Sequence, residues 1–460
     1  MLRDFATPQL QRLHQGKVRD SFRIEDDARL LVATDRLSAF DRVLDTAIPG
    51  KGEVLTALAA YWFDRTQHIV DNHMIRRVGR QAMLCREATP VRVEMIVRAY
   101  LTGSAWRAYE AGRRSISGVT LPDGLTRNAR LEHPIVTPTT KDIHDTEITA
   151  DAIVENGLAD ATTYERMTEV SLELFSFATD ELAQRGILLV DTKYEFGLIN
   201  GTLVLIDEIH TPDSSRFWGS DTYASDPLSV ESLDKEFVRA WLLERRAAGD
   251  DPTALPQEII AETTARYRDI CERITGTPLP PVSQDAAREL TSDLVQEGWM
   301  KDGLITLVMG SPRDREHADK IAGHLAPYAI AVHQRIASAH KTPAAVAELT
   351  RQLNAATEPS AVIAIAGLSN GLGGALAANL AVPVFSCPPF ADRTDLELNI
   401  HSSLMMPSRV PAATVVRPDN AAHAALRSLN LSRLRHQLVA EIEATQEEIR
   451  QVDDCLRSSR

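Results

Sequence analysis

The chain has 460 residues, 44% hydrophobic and 25% charged, enough for two or three domains that each bury a core. Its formal net charge of −14 disfavours nucleic acid as a partner, because that binding rests on neutralising phosphates with Lys and Arg. No apolar run approaches the roughly 20 residues that span a bilayer and the first residues carry no signal-peptide core, so no membrane partner and a cytoplasmic location are expected.

Up to about residue 277, strand-like runs at 30–34, 91–97, 187–190 and 203–206 alternate with helical patterns at 56–67, 164–185, 235–246 and 257–275. The stretch LLVDTKYEFG at 188–197, the turn Asn200-Gly201 and the run LVLIDE at 203–208 read as a β-hairpin. Asp191, Lys193 and Glu195 alternate with Thr192 and Tyr194, so they share one face of the first strand; Asp207 and Glu208 end the second. Such a face suits Mg²⁺ beside nucleotide phosphates, since that ion usually takes one or two carboxylates plus phosphate oxygens. A solvated strand with paired charges is the other reading of the same alternation.

The stretch GTPLPPVS at 276–283, with three prolines, breaks the pattern and begins a linker over 278–303 that includes a short helical segment at 284–297. The apolar run LITLVM at 304–309, ending in Gly310-Ser311, reads as a buried parallel strand opening onto a phosphate-binding turn. Strand-like runs at 329–335, 361–366, 382–386 and 412–416 then alternate with Ala-rich helices, the rhythm of a doubly wound parallel α/β sheet. Loops at 309–314, 338–343, 366–373 and 386–389 follow such strands, and in an open α/β sheet they converge on one ligand crevice. Their glycines, hydroxyls and one His-Lys pair suit a sugar phosphate, with His340 in a loop beside Ser338 and Lys341. From Leu431 through Leu434, Leu438, Ile442, Thr445, Ile449, Val452 and Leu456, spacings of three and four predict an amphipathic C-terminal helix over 431–460, packed on its own domain or on another subunit. Cys85, Cys271, Cys387 and Cys455 lie far apart with no CxxC pair, which indicates neither a disulfide framework nor a zinc site.

Four more clusters precede the linker: Gly16-Lys17-Val18-Arg19-Asp20, Asp35-Arg36-Leu37-Ser38-Ala39-Phe40-Asp41, the Arg98 to Trp106 stretch around Gly103-Ser104, and Thr137 to Asp145. Each alone fits a surface turn as well as a ligand loop. Together GKVRD, DRLSAFD, VRAYLTGSAW, LVDTKYEFG and DEIHTPDSSRFW make residues 1–277 resemble the phosphoribosylaminoimidazole-succinocarboxamide synthase (SAICAR synthase) family. The resemblance implies an ATP-grasp-type α+β domain that joins L-aspartate to carboxyaminoimidazole ribonucleotide (CAIR) and splits ATP, through an acyl phosphate. It also implies roles: Gly16, Lys17 and Arg19 for ATP; Glu195 and Asp207, with Asp145 as a third ligand, for Mg²⁺; Arg98, Ser104, Ser215 and Arg216 for CAIR; Lys193 as a catalytic group. The family's TKAExGEHDENIS segment is shortened here over 141–149, with Thr146 and Glu147 in place of Glu and Asn, which puts the aspartate contacts in question.

Residues 304–430 resemble the AIR carboxylase family, which makes CAIR from aminoimidazole ribonucleotide (AIR). SAHK, SNGLG and CPP match its CO₂-using type, implying direct carboxylation without ATP, biotin or metal. By that resemblance Ser311, Arg313, Asp314, Ser338, Lys341, Ser369, Asn370 and Gly371 bind AIR and CO₂, and His340 moves the proton at the reacting carbon, histidine being the side chain that titrates near working pH. Arg313 stands where the family's GSxSD loop has Ser. The expectation is a bifunctional purine-biosynthesis enzyme, ligase and carboxy-lyase, forming a homo-oligomer larger than a dimer. The rival readings are a ligase that keeps its second domain for assembly only, and a nucleotide sensor with no turnover.

Overall fold

A computed structural model of the chain describes every residue other than Asp41, 142–144, Glu231, 369–370 and 459–460. Ser369 and Asn370, expected to contact AIR and CO₂, and part of the shortened 141–149 segment lie outside the described residues. The chain forms two compact units, residues 1–4 with 11–290 and residues 5–10 with 291–460.

Two antiparallel sheets carry most of the first unit, with two short two-stranded pairs beside them. The smaller runs in the order Arg12–Gln15, Arg19–Glu25, Ala28–Ala33, Ala82–Arg86, Met74–Val78. The larger, six-stranded, is organised by the 13-residue strand Ile187–Ile199, which takes in the whole 188–197 stretch read as the first strand of the hairpin. The polar alternation after Val190 continues the strand, because Thr89–Tyr100 pairs with it from Asp191 to Leu198. Its other edge is shared by Ser215–Gly219 and Thr202–Ile206. Asn200 and Gly201 both have positive φ, 51° and 80°, as a two-residue type I′ hairpin turn requires.

Strand alternation sends Tyr194 and Phe196 into a core with Trp62, Phe63 and Phe175, and leaves Asp191, Lys193 and Glu195 on the opposite face. The helix Ala161–Ala183 covers that core with Met167, Val170, Leu174, Ala178 and Leu182, spaced by three and four, and starts at Asp160, whose carboxylate accepts from the Thr163 N–H at 2.8 Å. The helix Lys51–Arg65 begins one turn and more before the expected Thr56. Its first turn is polar and gives no apolar signal, yet it is buried because Lys51 pairs with Asp213 at 2.6 Å and Glu53 with Arg80 at 2.8 Å. The proline-rich stretch lies along this unit: Arg268 donates to the Leu279 carbonyl at 2.8 Å and Arg80 to that of Pro281 at 2.7 Å.

The second unit is a parallel sheet in the order Ala331–Ile336, Leu304–Met309, Ser360–Ile365, Val384–Ser386, Ala412–Thr414. All six residues of Leu304–Met309 are buried. Ile305, Leu307 and Met309 pack towards the helices Arg315–Leu325 and Pro418–Ser428, while Leu304 and Val308 pack towards Pro343–Ala355 and Gly371–Asn379, so both faces are covered. Residues 5–10 belong here: Thr7 Oγ1 donates to Glu358 at 2.8 Å and the Thr357 N–H to the Ala6 carbonyl at 3.0 Å. The C-terminal helix Ser432–Ser458 buries Leu434 and Leu438 but leaves Ile442, Ile449, Val452 and Leu456 between 43% and 66% exposed. It packs on its own unit for its first two turns and presents an uncovered apolar stripe after them. No disulfide joins the four cysteines. Among the described residues no helix is long and apolar enough to cross a membrane.

Candidate functional site

The turn ahead of Arg19–Glu25 and the two strands of the acidic hairpin meet around a cavity of about 440 Å³. Gly16, Lys17 and Arg19 line it together with Lys141, Glu195 and Asp207. Arg19 donates to Asp207 at 3.3 Å and to Glu208. Burial works against its charge, yet Glu208 and Asp207 outweigh that and raise its pKa. Burial likewise opposes ionisation of Asp207, and Arg19, Lys193 and Lys141 hold its carboxyl below the usual range. Glu195 accepts from Lys141 on one oxygen and from Lys193 at 2.6 Å on the other. Burial pulls the Lys141 pKa down. Lys193 is half-buried, and the desolvation it suffers is more than offset by Glu94, at 2.6 Å, and Asp207, which raise its pKa.

Glu195 and Asp207 thus face one space, and a pair of carboxylates is what Mg²⁺ needs when phosphate oxygens and water complete its shell. Asp145 is exposed, has φ of 44° and is not among the residues lining the cavity. Among the described residues no three His, Cys, Asp or Glu side chains converge to hold an ion, so the expected third carboxylate is not assembled with the other two.

The register of the large sheet builds a second cluster along the same strand. Asp191 stands opposite Arg98 on one neighbour and Arg216 on the other. Its carboxylate takes both guanidiniums, Arg98 at 3.1 Å and Arg216 closer, and Arg216 Nε also pairs with Glu236 at 3.4 Å, so two planar forks are fixed side by side as an anion grip needs. Arg98 also donates to Thr137 at 3.0 Å and reaches Ser104 Oγ at 3.5 Å; Ser215 Oγ lies 2.7 Å from Thr192 Oγ1. Burial lowers the Arg98 pKa; for Arg216 burial is outweighed by Asp191 and Glu236, which raise it. Gly103, at φ 58°, is required here, since a Cβ would fall 2.6 Å from an Arg216 nitrogen.

Two buried groups escaped the sequence reading. Glu94 sits opposite Glu195 and binds Lys193; its only sign was one acid inside the apolar alternation of 91–97, and its partner is set by strand register. His73 lines the cavity, faces the Cys85 sulfur at 3.7 Å, and is pushed down to about 4 by burial. No local motif marks it.

In the second unit those expected residues that are described follow the carboxyl ends of the strands. Ser311 Oγ accepts from the Arg313 N–H at 3.3 Å; Asp314 opens the helix Arg315–Leu325, with its pKa raised by burial, and Arg313 is exposed. The Ser338 loop is closed on itself, the Ser338 N–H donating to Thr342 Oγ1 at 2.9 Å and the Lys341 N–H to Ser338 Oγ at 3.2 Å. His340 packs against Gly371, where a Cβ would come within 2.9 Å of its ring. The loops after two strands of this sheet are thereby brought together.

Residues 12–254 match the SAICAR synthetase family model, and residues 304–451 match that of AIR carboxylase. A phosphoribosylaminoimidazole-succinocarboxamide synthase of Bacteroides thetaiotaomicron is 45% identical over 285 residues, covering 59% of this chain and 90% of its own length. The synthase of Leptothrix cholodnii is 43% identical over 290 residues, 57% of this chain and 95% of its own. Among solved structures, a SAICAR synthase from Saccharomyces cerevisiae complexed with SAICAR aligns with a TM-score of 0.55 at 31% identity, over 61% of this chain and 99% of that one.

Proposed function

The chain belongs to the SAICAR synthetase family, and we propose from that premise that it ligates CAIR with L-aspartate at the expense of ATP and makes the CAIR itself from AIR and CO₂. The ligase would lie within 1–277 and the carboxylase within 304–430, with 278–303 as linker and 431–460 as C-terminal helix. The observation that carries the ligase reading is one strand face, Asp191, Lys193 and Glu195, which joins the cation-lined cavity to the two-arginine cluster.

In this reading Lys17 and Arg19 meet the ATP polyphosphate, and Arg98, Ser104, Ser215 and Arg216 grip the CAIR ribose phosphate. The CAIR carboxylate oxygen attacks the γ-phosphorus and ADP leaves; the aspartate amine then attacks the acyl carbon, and phosphate leaves as the amide forms. Glu195 and Asp207 would hold Mg²⁺, which offsets the phosphate charge. Lys193, kept charged by Glu94 and Asp207, stabilises negative charge developing between carboxylate and phosphate. In the second unit AIR attacks CO₂ through its ring carbon, and His340 takes the proton that leaves that carbon. No ATP, biotin or metal enters that step.

Release of ADP that requires both CAIR and aspartate tests the ligase against a sensor. Conversion of AIR to CAIR in bicarbonate buffer tests the carboxylase against a domain kept for assembly. We further place the protein in the cytoplasm as a homo-oligomer larger than a dimer; the uncovered stripe of the Ser432–Ser458 helix supports that assembly.

A further inference from the structure

We propose that Arg36 is a positioning residue for the ligation, holding the backbone of the Gly16-Lys17 turn in the form that receives the polyphosphate. This rests on the reading of that turn as the ATP site.

Arg36 opens the strand Arg36–Ala39 and is only 7% exposed. A guanidinium has five N–H donors, and all five are used here. Nε donates to the Lys17 carbonyl at 3.3 Å. One terminal nitrogen donates to the Gly16 carbonyl at 2.9 Å and Asp20 at 2.6 Å, the other to the Arg3 carbonyl at 2.9 Å and Asp20 at 3.2 Å. Two residues earlier, Thr34 takes the next carbonyl, that of Val18, with its N–H at 3.0 Å and its hydroxyl at 2.6 Å. The carbonyls of residues 16, 17 and 18 are therefore all drawn to the 34–36 segment.

In a trans peptide the N–H points opposite to the carbonyl, so fixing these carbonyls aims the N–H groups of Lys17 and Val18 away from Arg36. The Gly16 N–H closes the turn on the Arg19 carbonyl at 2.8 Å, and a Cβ on Gly16 would fall 2.7 Å from that oxygen. Lys17 stays exposed at the cavity. Arg36 touches neither Glu195 nor Asp207 nor the Arg98 cluster; its side-chain contacts with the cavity lining are the Gly16 and Lys17 carbonyls and Asp20, so its influence on turnover runs through the 16–20 segment.

Arg36→Lys keeps a cation for Asp20 but offers three donors on a point charge and cannot hold three carbonyls and a carboxylate at once. We expect the KM for ATP to rise about tenfold while the KM values for CAIR and aspartate and kcat stay within about threefold. Thr34→Val removes the hydroxyl's bond to the Val18 carbonyl and the one it accepts from the Arg36 N–H at 3.3 Å, and should raise the KM for ATP by about threefold, again selectively. An unchanged KM for ATP in Arg36→Lys overturns the proposal, as does a joint rise of all three KM values or a fall in kcat alone, since a merely structural arginine would act that way. If Arg36→Lys does not fold, Thr34→Val decides on the same criteria. Lys17→Gln separates the two claims: if it leaves the KM for ATP unmoved, the ATP assignment of Lys17 fails by itself. If it raises that KM while Arg36→Lys does not, only the positioning role is lost.

Discussion

Glu195 accepts from two lysine ammoniums, so its charge both faces the cavity and holds Lys141 and Lys193 together. Glu195→Gln removes one of the two carboxylates proposed to hold Mg²⁺ and sets those cations against each other. ADP release with CAIR and aspartate should be abolished, a loss on the order of several kcal/mol in transition-state stabilisation, while AIR carboxylation is unchanged. Near-normal ADP release would refute the metal assignment. His73 makes a pH prediction: its folded pKa is down at about 4 against about 6.5 for an unfolded histidine. Below pH 6.5 the unfolded chain binds the proton and the folded one does not, so stability is full above that value and falls as pH drops towards 4. The span corresponds to roughly 3 kcal/mol, and urea midpoints at pH 7 and pH 5 should differ less in His73→Gln than in the parent.

At the scale of elements, the Ile187–Ile199 strand works because its register is set on both edges, placing Asp191 between two arginines and Glu195 opposite Glu94. Two glycines near it separate function from stability. Gly103→Ala puts a methyl into the Arg216 guanidinium at a positive-φ position, so the KM for CAIR should rise about tenfold or more. Gly201→Ala meets no atom within 4 Å but strains φ of 80°, so it should cost about 1 kcal/mol in chemical denaturation with CAIR kinetics unmoved. Matching effects of the two variants on CAIR would count against the arginine cluster as its site.

Across the whole molecule the two proposed reactions draw on separate units, so their variants should be independent. His340→Asn should slow AIR carboxylation by about 10² to 10⁴ and leave CAIR-dependent ADP release intact. Parent-rate carboxylation in that variant would make His340 structural. The apolar residues left exposed along Ser432–Ser458 bear on assembly, since burial between subunits would supplement the modest core of a small α/β unit. Truncation after Asn430 should shift light scattering towards smaller species. A stable monomer of the full chain at micromolar concentration with full carboxylase activity would contradict the oligomer.

The sequence by itself determined what local pattern encodes: the hairpin and its Asn200-Gly201 turn, the shared face of Asp191, Lys193 and Glu195, and the buried strand Leu304–Met309 with loops after it. Period and turn chemistry act over a few residues, and so are readable there. Only tertiary structure decided which distant charges compensate one another. Lys51 is buried on Asp213, 162 residues away, Arg36 closes its fork on residues 3, 16, 17 and 20, Glu94 meets Lys193, and Thr7 reaches Glu358 across 351 residues. A charged side chain in a turn reads as solvated until its partner is known, because burying it is tolerable only when that partner and its hydrogen bonds are in place.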